Sequence, residues 1–227
     1  MSYRRLVQMF SVVEEYLKRR QEFFRNLTDE RDLKTYFINS NVTVIVLSAV
    51  YGAIMGLYPG GLQILYDAVK IPMLLLISLY ITAPSFYVLT SLLGGRRSFS
   101  QVIVLLLSGI TVMSTILLAL IPVNLFFLLT TANTTTDFLI LLNVLIFTIA
   151  GFFALVYWLR GFMALYPGGE WILSFLIGSF IFAFVGTQLA WVLRPYFNYR
   201  GYFIGPLEKN FYIVIIELIL KALRGGR

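Results

Sequence analysis

Apolar residues run almost unbroken through five stretches of this chain, divided by short segments where Pro, Gly, Thr or Arg collect. No Asp, Glu, Lys, Arg or His enters the central part of any stretch, and each approaches or exceeds the roughly 20 residues that a helix needs to cross a bilayer. The first predicted span runs from Asn41 to Tyr58, with Ser40 or Asn41 as its N-cap, and stops at Leu57-Tyr58-Pro59-Gly60-Gly61. The segment Leu62 to Lys70 then reads as a short amphipathic piece at the interface, carrying Asp67. The second span, Ile71 to Leu93, has Pro72 in its first turn and Pro84 inside it, where a lost backbone hydrogen bond predicts a kink. The third, Val102 to Thr130, is too long for a straight crossing, and Pro122 predicts a bend. The fourth covers Phe138 to Leu159 and the fifth Trp171 to Leu193, ending at Arg194-Pro195.

Both ends of the chain follow a different pattern. Leu6, Met9, Phe10, Val13 and Leu17 recur at helical spacing with Arg4, Arg5, Glu14, Glu15, Lys18, Arg19 and Arg20 around them. This predicts an amphipathic N-terminal helix followed by a shorter helical piece, either anchored in the bilayer surface by Phe10, Phe23 and Phe24 or packed on the protein's own loops. A last helix, Leu207 to Leu223, carries Glu208, Lys209, Glu217 and Lys221. Glu217 at its centre favours an interfacial helix over a sixth crossing. The predicted fold is therefore all-α: a polytopic transmembrane bundle of five spans (41–195), preceded by an amphipathic cytoplasmic or interfacial segment (1–40) and followed by a loop and amphipathic helix (196–227).

Composition sharpens this reading. The chain of 227 residues is 59 % hydrophobic and only 13 % charged, with 20 Phe and 14 Tyr, which places it in a membrane as a single helical bundle. The formal net charge of +7 resides in tails and loops, where it sets topology and meets anionic headgroups; no nucleic-acid partner is expected. No secretory leader is visible, so the first span is expected to direct insertion. Arg96 and Arg97 lie in one loop, and the loop from Thr131 to Asp137 has no basic residue, which puts the N-terminus in the cytoplasm. The basic C-terminal tail opposes this assignment.

The chemistry available is narrow. With no His and no Cys, zinc proteolysis, Ser-His hydrolysis and disulfide frameworks are excluded. The spans contain no carboxylate for aspartyl or metal-dependent chemistry, so no catalytic residue, metal ligand or cofactor is expected. The intramembrane polar residues are mild: Asn124, Asn143 and Gln188 either bond neighbouring helices or line a neutral pathway. Small residues at four-residue spacing, Gly52 and Gly56 on the first span and Ser174/Gly178, Ser179/Ala183/Thr187 and Gly186/Ala190 on the fifth, predict faces where helix backbones approach closely, within the monomer or between copies. Arg194 has two readings: an interfacial cation beside Trp191 and Tyr196, or a partner for Asp67 or Asp137 that fixes the helix end. The pentapeptide Leu-Tyr-Pro-Gly-Gly occurs at 57–61 and again at 165–169, which reads as shared turn chemistry rather than duplication.

The run Phe184-Val185-Gly186-Thr187-Gln188-Leu189-Ala190-Trp191-Val192-Leu193-Arg194-Pro195-Tyr196-Phe197 resembles the signature of an uncharacterised bacterial polytopic membrane family, of the form FVGxQLxWVLRPF. Tyr51-Gly52, Lys70-Ile71-Pro72, Pro84-Ser85-Phe86, Pro122, Leu142-Asn143 and Gly205-Pro206-Leu207-Glu208 extend the likeness over residues 42 to 215. Some members carry an actin-binding label for which a multi-span bacterial protein offers no physical role. The Leu92-Leu93-Gly94-Gly95 turn with Ser98-Phe99 is also similar to the Yip-type membrane family, whose members act as trafficking scaffolds. The likeness implies a multi-pass protein of the bacterial inner membrane and transfers no catalytic residue.

The expected function is a non-enzymatic scaffold, assembly or regulatory subunit with membrane lipids and a protein partner or a second copy as its contacts. The alternative is a small oligomeric channel or transporter for a neutral or lipidic substrate.

Overall fold

The computed structural model describes residues 3–58, 60–130, 136–169, 171–195, 203 and 211–223. All regular structure among them is helical: α1 (Tyr3–Lys18), α2 (Arg20–Thr28), α3 (Leu33–Met55), α4 (Gln63–Leu92), α5 (Phe99–Ala119), α6 (Ile121–Thr130), α7 (Thr136–Leu165), α8 (Trp171–Leu193) and α9 (Phe211–Leu223). Five helical units are long and apolar enough to cross a membrane: α3, α4, α5 with α6, α7 and α8. The 13 residues of α9 span only about 20 Å at roughly 1.5 Å per residue, short of the about 30 Å hydrocarbon layer. Glu208 and Lys209, together with the rest of 204–210, lie outside the described residues.

At the centre stands α5. Its residues from Gln101 to Ser114 are buried on nearly every side, the behaviour of a helix that is apolar all round. The hydroxyls in it turn back on their own backbone: Ser108 donates to the Leu105 carbonyl at 2.6 Å, Thr111 to Leu107 at 2.9 Å and Ser114 to Ile110 at 2.9 Å. Trp158 of α7 donates its indole N–H to the Leu106 carbonyl at 2.9 Å, and its ring fills the space left by Gly109, where a Cβ would stand 2.1 Å from Nε1.

The long third stretch is divided into α5 and α6 at Leu120, with Pro122 in the first turn of α6, where its missing N–H costs nothing. Several boundaries differ from the sequence reading. The first span begins at Leu33, so Ser40 and Asn41 are interior residues and not caps. The reason is that Tyr16 of α1 shares a hydrogen bond with Ser40 at 2.7 Å, and Asn41 accepts from Tyr80 at 2.6 Å, so these polar groups are satisfied within a continuing helix. The 40/41 division accordingly falls inside α3. Leu62 to Lys70 is no separate interfacial piece: from Gln63 it forms the first turns of α4, and Pro72 lies well inside that helix. The fourth span continues past Leu159 to Leu165.

The N-terminal helices do not float on the bilayer. Phe23 and Phe24 are buried, packed on Tyr16, Tyr36 and Tyr157 rather than on lipid; the side chains of residues 1–10, Phe10 among them, lie outside the described set. Burial pushes the Tyr16 phenol far above its ordinary range, so it stays neutral against Ser40. Gln101 ties this cap to the bundle. Its Oε1 accepts from Ser98 N–H while Ser98 Oγ accepts from Gln101 N–H, a capping box, and its Nε2 donates to the carbonyls of Leu27 at 2.9 Å and Thr28 at 3.1 Å. Arg97 adds bonds to the carbonyls of Leu165 at 2.9 Å and Thr28 at 3.3 Å. Gln101→Ala is expected to remove about 1–2 kcal/mol and to expose the segment around Thr28 to protease before the bundle unfolds, which limited proteolysis in detergent would read.

Candidate functional site

Three polar centres and one crevice contain nearly all the chemistry that the described residues place inside the bundle. The first centre joins α3, α6 and α7. Tyr51 donates to Asn143 Oδ1 at 2.8 Å, Asn124 Nδ2 donates to the same oxygen at 2.9 Å and to the Tyr51 hydroxyl at 3.2 Å, and Asn143 Nδ2 donates to the Leu139 carbonyl at 2.8 Å. All three residues are buried, and the network closes on itself. Asn124 and Asn143 thus act as bonds between helices, and Tyr51 is the member that the sequence reading did not single out.

The second centre sits where α3 crosses the start of α4. Asp67 is 1 % exposed and Lys70 2 %, with Lys70 Nζ 3.6 Å from Asp67 Oδ1. Gln63 donates to the same carboxylate oxygen at 2.8 Å, and the Phe203 ring centroid lies 5.5 Å from Lys70 Nζ. Asp67 therefore takes Lys70 as its ion-pair partner, where the sequence had offered Arg194. The spacing Gln63, Asp67, Lys70 was the available signal, since residues three and four apart share a helix face. Gly52 and Gly56 bring α3 onto this turn: a Cβ at Gly52 would stand 2.2 Å from the Asp67 carbonyl oxygen, and one at Gly56 2.6 Å from Ile64 Cα.

The third centre is Arg194. It is 3 % exposed, so its guanidinium does not spread to headgroups, and it stacks over the Trp191 ring at 4.2 Å. Its backbone turns to φ 45°, which ends α8. Tyr196 lies outside the described residues.

The small residues of α8 divide into two groups. Near its start, Ser174 donates to the Phe86 carbonyl at 2.8 Å and accepts from Thr90 at 2.6 Å, and Gly178 admits the Phe86 ring to 2.5 Å from where its Cβ would be. Further along stand Ala183, Gly186 and Ala190, of which Ala190 is buried; a Cβ at Gly186 would find only Ser78 Oγ, 3.7 Å away. They line a crevice of about 420 Å³ between α4, α5, α7 and α8. Helix α8 packs along α4 and touches α7 sparingly. Trp158, whose ring centroid is 4.9 Å from that of Phe182, closes the gap at one end. Gln188 is half-buried on α8 and does not line the crevice, nor do Asn124 and Asn143.

Five apolar helices, a closed internal polar network and a lateral apolar crevice define a multi-pass integral membrane protein of all-α architecture. Comparison of the chain with protein-family models, curated proteins and solved structures finds no match in any of the three.

Proposed function

We propose that the protein is a non-enzymatic integral membrane scaffold, an assembly or regulatory subunit acting through helix contacts and its N-terminal cap. The observation that carries this reading is the way the cap is held. Tyr16, Gln101 and Arg97 fasten α1 and α2 to the bundle end, while Glu14, Lys18, Arg19, Arg20, Glu22 and Arg25 face outward. A charge pattern fixed on a rigid base binds a protein partner without the ordering cost of a loose tail, and favours the right partner over others. The basic residues of the cap and the Arg96–Arg97 loop support placing this face in the cytoplasm, and the likeness of the α8 signature supports a bacterial inner membrane.

A second reading, handling of a lipidic substrate, draws support from the crevice. A polar conduit draws none from Gln188, Asn124 or Asn143, which lie away from it.

Native mass spectrometry after gentle extraction from the protein's own host tests the scaffold reading. A different polypeptide is expected at fixed stoichiometry, and Arg19→Glu/Arg20→Glu/Arg25→Glu is expected to release it while the bundle keeps its melting temperature. A chain that travels alone in both forms overturns the proposal.

A further inference from the structure

The crevice between α7 and α8 has a wall that is apolar except for four hydroxyls, and two of these are out of keeping with the rest of the bundle. Elsewhere among the described residues, buried Ser and Thr hydroxyls in helices bond a backbone carbonyl of the preceding turn or another side chain, as Ser48, Thr82, Ser108 and Thr111 do. Ser78 and Ser179 do neither. Both Oγ atoms are buried, both line the crevice, and neither has a hydrogen-bond partner. Ser78 is 1 % exposed, and an unmet hydroxyl in so apolar a setting costs about 1–3 kcal/mol. The other two hydroxyls are engaged: Thr148 with the Val144 carbonyl, and Thr187 with Phe184 and with Tyr212 of α9.

We infer that this crevice is a binding site for an uncharged, chain-bearing lipid of the quinone type, one of whose ring carbonyl oxygens accepts a hydrogen bond from Ser78 and the other from Ser179. The volume of about 420 Å³ lies within the usual ligand range of about 300–1,000 Å³. No charged side chain lines it, so a phosphate or carboxylate would lose its hydration without a counter-charge. Ser78 and Ser179 lie near the middle of α4 and α8, far from the interface where the esters and phosphate of a phospholipid reside. A small neutral carbonyl is the group that fits this depth. Phe152 and Ala183 are exposed on the outer face of the mouth, so the chain enters sideways from the bilayer rather than from water. Gly186 keeps the space beside Ser78 open. This inference stands apart from the scaffold reading, since the cap and the crevice share no residue.

The test uses the full chain in phospholipid nanodiscs, with decylubiquinone as probe and tryptophan quenching as readout, because Trp158 contacts the lining residue Phe182. Saturable quenching is expected, displaced poorly by dodecylbenzene, which has ring and chain but no carbonyl. Ser78→Ala/Ser179→Ala is expected to weaken binding about tenfold, as two neutral hydrogen bonds are lost, without lowering the melting temperature of the ligand-free protein. Gly186→Leu, which fills the crevice, is expected to abolish saturable quenching; the serine variant carries the test if the leucine variant fails to fold. Quenching that rises linearly without saturation overturns the inference. So do equal affinity in wild type and the serine variant, and a co-purified phospholipid that the quinone does not displace.

Discussion

Gly52→Val is expected to yield no stable bundle, whereas Gly186→Ala on α8 is expected to melt within a few degrees of wild type. Both glycines belong to small-residue patterns that look alike in the sequence. At Gly52 the added carbon would meet the backbone carbonyl of Asp67 at 2.2 Å and its carbon at 2.7 Å. Over-packing against side chains ordinarily costs about 1–3 kcal/mol because rotamers give way, but a helix backbone cannot, so the cost here exceeds about 3 kcal/mol. Relief would require α3 and α4 to separate, which would uncover the Gln63–Asp67–Lys70 cluster beneath the contact. At Gly186 the nearest atom is Ser78 Oγ at 3.7 Å, an ordinary van der Waals approach. Yield of monodisperse protein and thermal melting in detergent separate the two; a Gly52→Val variant that melts like wild type would falsify the close crossing of α3 and α4.

Lys70→Met is expected to destabilise the bundle by about 3–5 kcal/mol, and Asp67→Leu/Lys70→Met to recover most of that loss. The asymmetry comes from solvation. The pair is 2 % exposed on both side chains, so each charge has given up its water for the other at 3.6 Å. Removing the ammonium leaves a carboxylate whose remaining help is the Gln63 amide at 2.8 Å. Removing both charges takes away the attraction and the desolvation cost together, and those terms nearly cancel in a buried pair. A double-mutant cycle by thermal or denaturant unfolding measures the coupling. Equal losses for the single and double variants would mean that packing at the start of α4, rather than charge, is what matters.

Much of this architecture was legible because membrane insertion is written in long local patterns. A run such as Trp171 to Leu193 has one low-energy state in lipid, a helix, and Arg194-Pro195 ends it in both the sequence reading and the structure. Local sequence misleads where a polar residue within a helix resembles a boundary. Ser40, Asn41 and Asp67 look like interface residues when judged by their neighbours in the chain, yet Tyr16, Tyr80 and Lys70 supply their partners and let the helices continue. Two of those partners are distant in sequence, so no local window could reveal them; Lys70 was within reach through its helical spacing from Asp67. The Ser98–Gln101 capping box is likewise local, since Ser and Gln three residues apart ahead of an apolar run are its signature.

The repeated Leu-Tyr-Pro-Gly-Gly shows the division most clearly. Both copies turn the chain with glycines at positive φ, at Gly60 and Gly61 in one and at Gly169 in the other. Yet α3 and α4 close tightly on each other, while α7 and α8 splay apart and leave the crevice. The turn fixes only that the chain reverses. What fills the space between the arms depends on which faces meet: Gly52 and Gly56 against the backbone of α4 in one hairpin, and Trp158 wedged against Phe182 in the other. The sequence alone determined the membrane class and the five apolar spans, because both follow from local hydropathy and residue type. The inclusion of the buried Asp67–Lys70 pair in the second spanning helix departs from the carboxylate-free spans that the sequence predicts. Only the tertiary structure decided that the asparagines close a network, that the N-terminal helices are a fastened cap, and that Ser78 and Ser179 face an open crevice, because each depends on side chains from helices far apart in the chain reaching, or failing to reach, one another.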